Sequence, residues 1–315
     1  MIKTCYFRLI SFLIVSTLLI ACSDESNTPQ ADDDDATNYP NILLIIADDM
    51  GLDATPGYSE GVQKPNMPNL DRLISLGITF DNAWAYPLCS PTRASILTGK
   101  YGSQTGVLSV ENAAISSDEI SIQAYLDANT SSNYAHAHFG KWHLSKFNQT
   151  SAPNDLGIGY FAGQMQGGLL DYHSWDLNIN GTTEACNEYH TTKITELTID
   201  WINQQTQPWF CWLAYSAPHT PFHYPPSEMH SQDENEGSDL SMYLAMMESM
   251  DYQMGRLFDS MDETTLANTI ILFIGDNGTE KAVLQAPYRG RKGKGSLYQG
   301  AIYCCGQRRY TTKCT

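Results

Sequence analysis

Asn41-Ile42-Leu43-Leu44-Ile45-Ile46-Ala47-Asp48-Asp49 is a continuous apolar run that stops on two adjacent carboxylates. A run of this length without polar alternation predicts a strand buried on both faces of a parallel sheet. Three more apolar runs end in the same way. Residues 134–139 lead into Gly140-Lys141-Trp142-His143-Leu144, residues 209–215 into Ala217-Pro218-His219-Thr220-Pro221, and residues 269–274 into Gly275-Asp276-Asn277-Gly278. Between them lie helical periodicities. Residues 68–76 place Leu70, Leu73 and Ile74 on one side before Gly77, and residues 192–204 carry a stripe of Ile194, Leu197, Trp201 and Ile202. Residues 240–261 repeat Leu240, Tyr243, Met247, Met250, Met254, Leu257 and Met261 at near-heptad spacing, a stripe that reads as packing. Residues 78–83 predict a short strand. Residues 148–190, rich in Gly, Asn, Asp and aromatics, read as loops around a site. Strands alternating with helices define an α/β fold with a mostly parallel central sheet flanked by helices. Ligands of such sheets bind beyond the carboxyl ends of the strands, where all four polar clusters fall.

The chain has 315 residues, 42% of them hydrophobic and 11% aromatic, enough for a sizeable core. Its net charge of −17 excludes a nucleic-acid binder, which needs a basic face. Residues 1–21 read as a targeting segment: Lys3 and Arg8 form a basic start, and residues 9–20 an apolar stretch too short for an ordinary membrane span. The ending Leu19-Ile20-Ala21-Cys22 resembles a bacterial lipoprotein signal, which implies export, lipidation of Cys22 and anchorage to a bacterial membrane, periplasmic or at the cell surface. Residues 22–39, with Asp24, Glu25 and an acidic run from 32 to 35, then read as a disordered tether. Of eight cysteines only Cys89, Cys186 and Cys211 lie in the body of the chain, and no metal-type Cys/His spacing occurs.

Pro87-Leu88-Cys89-Ser90-Pro91-Thr92-Arg93-Ala94-Ser95-Ile96-Leu97-Thr98-Gly99 reads as a turn feeding a short helix stopped by Gly99. Cys89 at the helix start, with Arg93 one turn on, predicts either an acidic, reactive thiol beside an oxyanion site or a half-buried structural cysteine. Asp48, Asp49, Asp276 and Asn277 offer only oxygen ligands, which suits a hard divalent cation, Ca²⁺ before Mg²⁺. Arg93, Lys141, His143, His219 and Lys294 add cationic and proton-transferring groups. Together these residues describe a pocket for a tetrahedral oxyanion, equipped for ester cleavage.

Cys89-Ser90-Pro91-Thr92-Arg93 resembles the Cys-x-Pro-Ser/Thr-Arg signature of type I sulfatases, members of the alkaline-phosphatase-like superfamily. Gly140-Lys141-Trp142-His143-Leu144 resembles their second signature. Asp48-Asp49, Ala217-Pro218-His219, Gly275-Asp276-Asn277-Gly278 and Lys294-Gly295-x-x-Tyr298 match in order, from about residue 41 to 300. The resemblance implies a sulfuric ester hydrolase whose Cys89 is oxidised to Cα-formylglycine by a separate maturation enzyme. One hydroxyl of the aldehyde hydrate would attack sulfur, with a Ca²⁺ held by Asp48, Asp49, Asp276 and Asn277 and with Arg93 steadying the nucleophile. Lys141, His219 and Lys294 would bind the sulfate, with His219 or Lys294 assisting the leaving alcohol. His143 would deprotonate the second hydroxyl, expelling sulfate, a route to turnover that an ordinary alcohol nucleophile lacks. The implied substrate is a sulfated carbohydrate or an aryl sulfate.

After Gln299-Gly300 the family pattern is lost. Residues 301–315 hold three cysteines, three arginines and lysines, and none of the expected continuation. These features predict a catalytic domain over residues 40–300 that is incomplete, lacking a smaller C-terminal domain, followed by an aberrant tail from a frameshift or truncation near residues 300–303. Two other functions fit the same motifs: a phosphodiesterase or phosphonate hydrolase of the same superfamily, and a non-catalytic glycan-binding lipoprotein. Tyr172, Trp175 and Tyr224 are read either as sugar-stacking aromatics or as loop packing.

Overall fold

The run at residues 41–47 is a central strand of a nine-stranded sheet, in a computed structural model that describes residues 39–130, 134–287, 291–293, 298–299 and 302–305. The targeting segment, all of the tether before residue 39, Cys22 and Lys294 lie outside the described residues.

In chain order β1 (Asn41–Ala47) leads to α1 (Pro68–Leu76), β2 (Ile78–Thr79), β3 (Trp84–Ala85), α2 (Cys89–Thr98), α3 (Gly102–Thr105) and α4 (Ile122–Asn129). Next come β4 (Ala135–Gly140), α5 (Ala152–Asp155), β5 (Tyr160–Gly163), β6 (Trp175–Ile179), β7 (Thr182–Cys186), α6 (His190–Ile202) and β8 (Trp209–Ala214). The remaining elements are α7 (Asp239–Ser260), α8 (Glu263–Ala267), β9 (Thr269–Gly275), β10 (Tyr298–Gln299) and β11 (Ile302–Cys305). The sheet runs β2-β11-β9-β1-β8-β4-β5-β6-β7. Its interior, from β9 to β5, is parallel, with Ile45 opposite Leu213 on β8 and Phe273 on β9. β11 pairs antiparallel with β9 and β2 on one flank, so residues 302–305, read from sequence as tail, lie within the sheet.

Unbroken hydrophobicity in β1 follows from burial on both faces. Leu43, Ile45 and Ala47 pack with Leu70 of α1, Ile194 of α6 and Met250 of α7. Leu44 and Ile46 face the other way, toward Ala94 and Leu97 of α2, Trp142 and Trp212. Each such side chain removed from water contributes roughly 1.5–3 kcal/mol. The methionine stripe of α7 is packing, as its spacing predicts: Met247, Met250 and Met254 are fully buried.

α7 also fastens the loop after β1. α1 has no side-chain cap of its own; Asp251 of α7 supplies one, accepting from the backbone N–H groups of Asn69 (3.0 Å) and Leu70 (2.7 Å). One turn earlier, Glu248 accepts from Asn66 N (2.9 Å) and Ser231 Oγ (2.9 Å).

Residues 148–190 depart from the loop reading. They include β5 and the hairpin β6–β7, which extend the sheet. Asn180 (φ 47°) and Gly181 (φ 92°) form the two-residue turn between β6 and β7, and both left-handed conformations match the sheet's twist. The Asn-Gly pair was the signal for it. Cys186 and Cys211 are buried and free.

Candidate active site

The parallel strands end at one place because backbone hydrogen bonds carry each across to its neighbour. Asp48 N donates to Ala217 O (3.1 Å), Asp276 N to Ala47 O (3.2 Å) and Lys141 N to Ala214 O (2.9 Å). Gly140, which closes β4, has φ 91°, and a Cβ there would lie 2.0 Å from Ala214 O. Only glycine permits β4 to turn so tightly against β8 and deliver Lys141 inward. Asp49 (φ 68°) and His143 (φ 53°) are left-handed non-glycine residues, a costly conformation that collects at functional sites.

The sequence-predicted residues meet here. Asp48, Asp49 and Asp276 are fully buried, each with a carboxylate oxygen within 4.8 Å of the others. Asn277 Nδ2 donates to Asp49 Oδ1 (2.6 Å). Arg93, buried on α2, binds Asp276 Oδ2 through Nε (2.9 Å) and donates from Nη1 to Lys141 O (3.0 Å). Lys141 Nζ donates to Asp48 Oδ2. Cys89, the first residue of α2, has its Sγ 3.4 Å from His143 Nδ1. His219 Nε2 lies 3.8 Å from Asp49 Oδ2, and its Nδ1–H donates to Thr220 O (2.8 Å).

Among the described residues, Asp48 Oδ1 and Asn277 Oδ1 are buried with no hydrogen-bond partner. Two orphaned oxygens beside three converging carboxylates, a cluster that draws on no His or Cys, fit a hard divalent cation. The charges agree. Asp276 is pushed above the carboxylate range by burial and by the neighbouring Asp48, against the pull of Arg93 and Lys141, a repulsion that a cation relieves. Burial opposes charge on Asp48 too, yet Lys141, His219 and Arg93 hold it well below the carboxylate range.

Of the two readings of the Cys89 thiol, the buried environment opposes the acidic one. Burial pushes the Cys89 thiol up, and Asp48 and Asp276 add to the shift, outweighing Lys141 and Arg93. As a cysteine, residue 89 is a poor nucleophile. His143 is pushed down to about 3, by burial and by the charges of Lys141 and Arg93, so its imidazole is neutral and able to accept a proton.

Three contributors escaped detection in the sequence, and a fourth, Tyr172, was read there only as a stacking or packing aromatic. Lys292 Nζ donates to Asp49 Oδ2 (2.7 Å), two residues before the predicted Lys294. His138, buried on β4, donates from Nε2 to Lys141 O (3.1 Å) and, pushed down to about 3 by burial, adds no charge behind the site. Gln164 and Tyr172 hold the far wall. Gln164 donates to Ser216 Oγ, and Tyr172 Oη donates to Ser216 O (2.9 Å) and His219 O (2.7 Å). Lone interior polar residues carry no spacing pattern; only the fold shows what they meet. Tyr172 and Trp175 are buried at 1% and 7% exposure, which makes them packing residues rather than a sugar platform. Tyr224 Oη is engaged with Ser241 Oγ (3.1 Å).

A parallel sheet whose strand ends gather an all-oxygen cluster, cationic side chains and a helix N-terminus defines the alkaline-phosphatase-like class of α/β proteins. Within it, the chain belongs to the sulfatase family: the family profile, Sulfatase, matches residues 40–302. It is 27% identical to an ulvan-active sulfatase of Formosa agariphila, over 84% of this chain and 55% of that protein. It is 26% identical to human N-acetylgalactosamine-6-sulfatase, over 85% of this chain and 56% of that one. The crystal structure of Ps i-CgsB in complex with k-i-k-neocarrahexaose superposes with a TM-score of 0.75 at 26% identity, covering 86% of this chain and 66% of that one. The chain spans about half the length of the curated relatives it matches.

Proposed function

We propose that this chain hydrolyses sulfate esters of carbohydrates, using a Cα-formylglycine made from Cys89 by a maturation enzyme and a Ca²⁺ held by Asp48, Asp49, Asp276 and Asn277. One observation carries the reading: Cys89 Sγ stands 3.4 Å from a neutral His143 Nδ1, beside a carboxylate cluster with two unsatisfied oxygens. The aldehyde hydrate would supply the attacking oxygen that a buried thiol does not, and the cation would offset charge on nucleophile and sulfate.

The chain's own residues do the rest. His143 accepts a proton at Nδ1 from the group at position 89. Arg93 and Lys141, both buried, fix positive charge at the cluster where sulfate oxygens would sit, and Lys292 extends it. His219, held by its Nδ1–H on Thr220 O, presents Nε2 toward the site and serves the leaving oxygen. A cleft of about 310 Å³ opens beside His143, lined by Glu111, Asn112, Lys146, Phe147 and Gln166 among others, and admits the rest of the substrate. The names of the ulvan-active and N-acetylgalactosamine-6-sulfatase relatives favour a sulfated saccharide. Export and lipid anchorage through Cys22 belong to the same reading and rest on the basic and apolar pattern of residues 3–20.

The test is co-expression with a formylglycine-generating enzyme, mass analysis of the Cys89 peptide, and sulfate release from a panel of sulfated mono- and polysaccharides. An aldehyde at position 89 and release that Cys89→Ala abolishes are the expected results. An unmodified thiol with saccharide binding but no release overturns the reading in favour of a glycan-binding protein.

A further inference from the structure

Gly167 and Gly168 lie against the two histidines of the site. A Cβ on Gly167 would stand 2.1 Å from His143 Cε1, 2.4 Å from Nε2 and 2.5 Å from Nδ1. A Cβ on Gly168 would stand 3.1 Å from His219 Cε1. Neither glycine has a left-handed φ, in contrast to Gly140 and Gly181. Backbone conformation therefore does not demand glycine here. The imidazole rings do.

We propose that residues 164–172 form a positioning strap, whose bare Gly167–Gly168 backbone sets the ring orientations of His143 and His219 together; the catalytic roles of those rings rest on the function proposed above. Two backbone bonds register the strap on the segment after β4: Trp142 N donates to Gln164 O (3.0 Å) and His143 N to Met165 O (3.3 Å). The second helps hold His143 at its φ of 53°, with Ser90 Oγ donating to His143 O (3.0 Å) from the other side. Both ends of the strap are tied down. Upstream, Gln164 donates to Ser216 Oγ and its Oε1 accepts from His190 Nε2 (2.8 Å). Downstream, Tyr172 Oη donates to His219 O (2.7 Å), so the strap that touches the His219 ring also grips its backbone. Leu169 is buried beside the glycines, whereas Leu170 is 98% exposed. The strap also forms one wall of the cleft beside His143, through Met165, Gln166 and Gly167.

Imidazole ¹⁵N resonances of the full chain and steady-state kinetics of the matured enzyme test this. Gly167→Ala is expected to shift the His143 resonances, leave those of His219 nearly in place, and lower kcat by at least about tenfold with KM little changed. Gly168→Ala, with the looser contact, is expected to move His219 instead, with a smaller loss of kcat. Leu170→Ala, on the same strap, is expected to change neither. If Gly167→Ala prevents folding, Gly168→Ala alone decides, since a purely structural role predicts no selective His219 shift. Unchanged histidine resonances and kcat in a folded glycine variant overturn the proposal. The resonances report ring geometry whether or not the wild type releases sulfate, so failure of the proposed function stays distinguishable.

Discussion

Cys89 Sγ lies 3.4 Å from His143 Nδ1, and each residue is placed by a different strand-to-helix junction. Cys89 opens α2, and His143 follows β4 by three residues in a left-handed conformation. The imidazole is kept neutral by burial and by Lys141 and Arg93. A neutral base facing position 89 is useful only if that position carries an ionisable group that burial does not silence. Replacing His143 by Ala is expected to lower kcat by roughly 10²–10⁴-fold in the matured enzyme. Steady-state kinetics, with circular dichroism to show an intact fold, checks this.

Metal removal should act on stability as well as on turnover. Chelation with EGTA leaves Asp48, Asp49 and Asp276 facing one another, with Asp48 Oδ1 and Asn277 Oδ1 unsatisfied. Ca²⁺ at about a hundredfold over its Kd is expected to stabilise the fold by about 2.7 kcal/mol, read as a rise in Tm. In Asp276→Ala that rise should largely disappear.

Asp251 gives a pH signature distant from the site. Burial pushes its carboxyl up to about 6, although bonds from Asn69 and Leu70 pull the other way. The folded chain therefore holds this proton more tightly than the unfolded chain, where the value is near 3.8. The stability it contributes is fully present below the unfolded value and is lost as pH rises through about 6, on the order of 3 kcal/mol. Asp251→Asn should flatten this part of the profile in urea melts between pH 4 and about 7. Asp251→Ala, which strips the cap from α1, should cost at least about 1–3 kcal/mol, with the cost falling as pH rises through about 6.

Gly140→Ala is expected to be far more damaging than an ordinary surface change. The added methyl would meet Ala214 O at 2.0 Å in a backbone conformation that disfavours side chains. A loss above about 3 kcal/mol, or failure to accumulate folded protein, should appear in denaturant melts.

The parallel core was legible because its signal is local and strong. Runs such as 41–47 and 209–215 have no alternation, and the carboxylates, lysine and histidines that follow them mark the ligand edge directly. The hairpin β6–β7 was missed because its strands are short and β7 is polar, with Thr182, Thr183 and Glu184 exposed; the alternation of Trp175, Leu177 and Ile179 in β6 and the Asn180-Gly181 turn were its signals. The choice between the two thiol readings of Cys89 was left open for a related reason. Helix position and Arg93 are visible in sequence, but complete burial beside Asp48 and Asp276 is a tertiary fact that reverses the sign of the shift. Gln164 and Lys292 sit in no pattern, and nothing in the sequence shows what Tyr172 meets. Their partners, Ser216, His219 and Asp49, lie 47 to 243 residues away, and only the fold brings them together.

The comparison that bears most directly on the proposed activity is kcat/KM of the matured chain on an aryl sulfate against the matching aryl phosphate diester, with Cys89→Ala alongside. Sulfate-ester turnover well above phosphodiester turnover, and lost in Cys89→Ala, is the predicted result. Preferred cleavage of the phosphate diester, or sulfate release that survives Cys89→Ala, would contradict it.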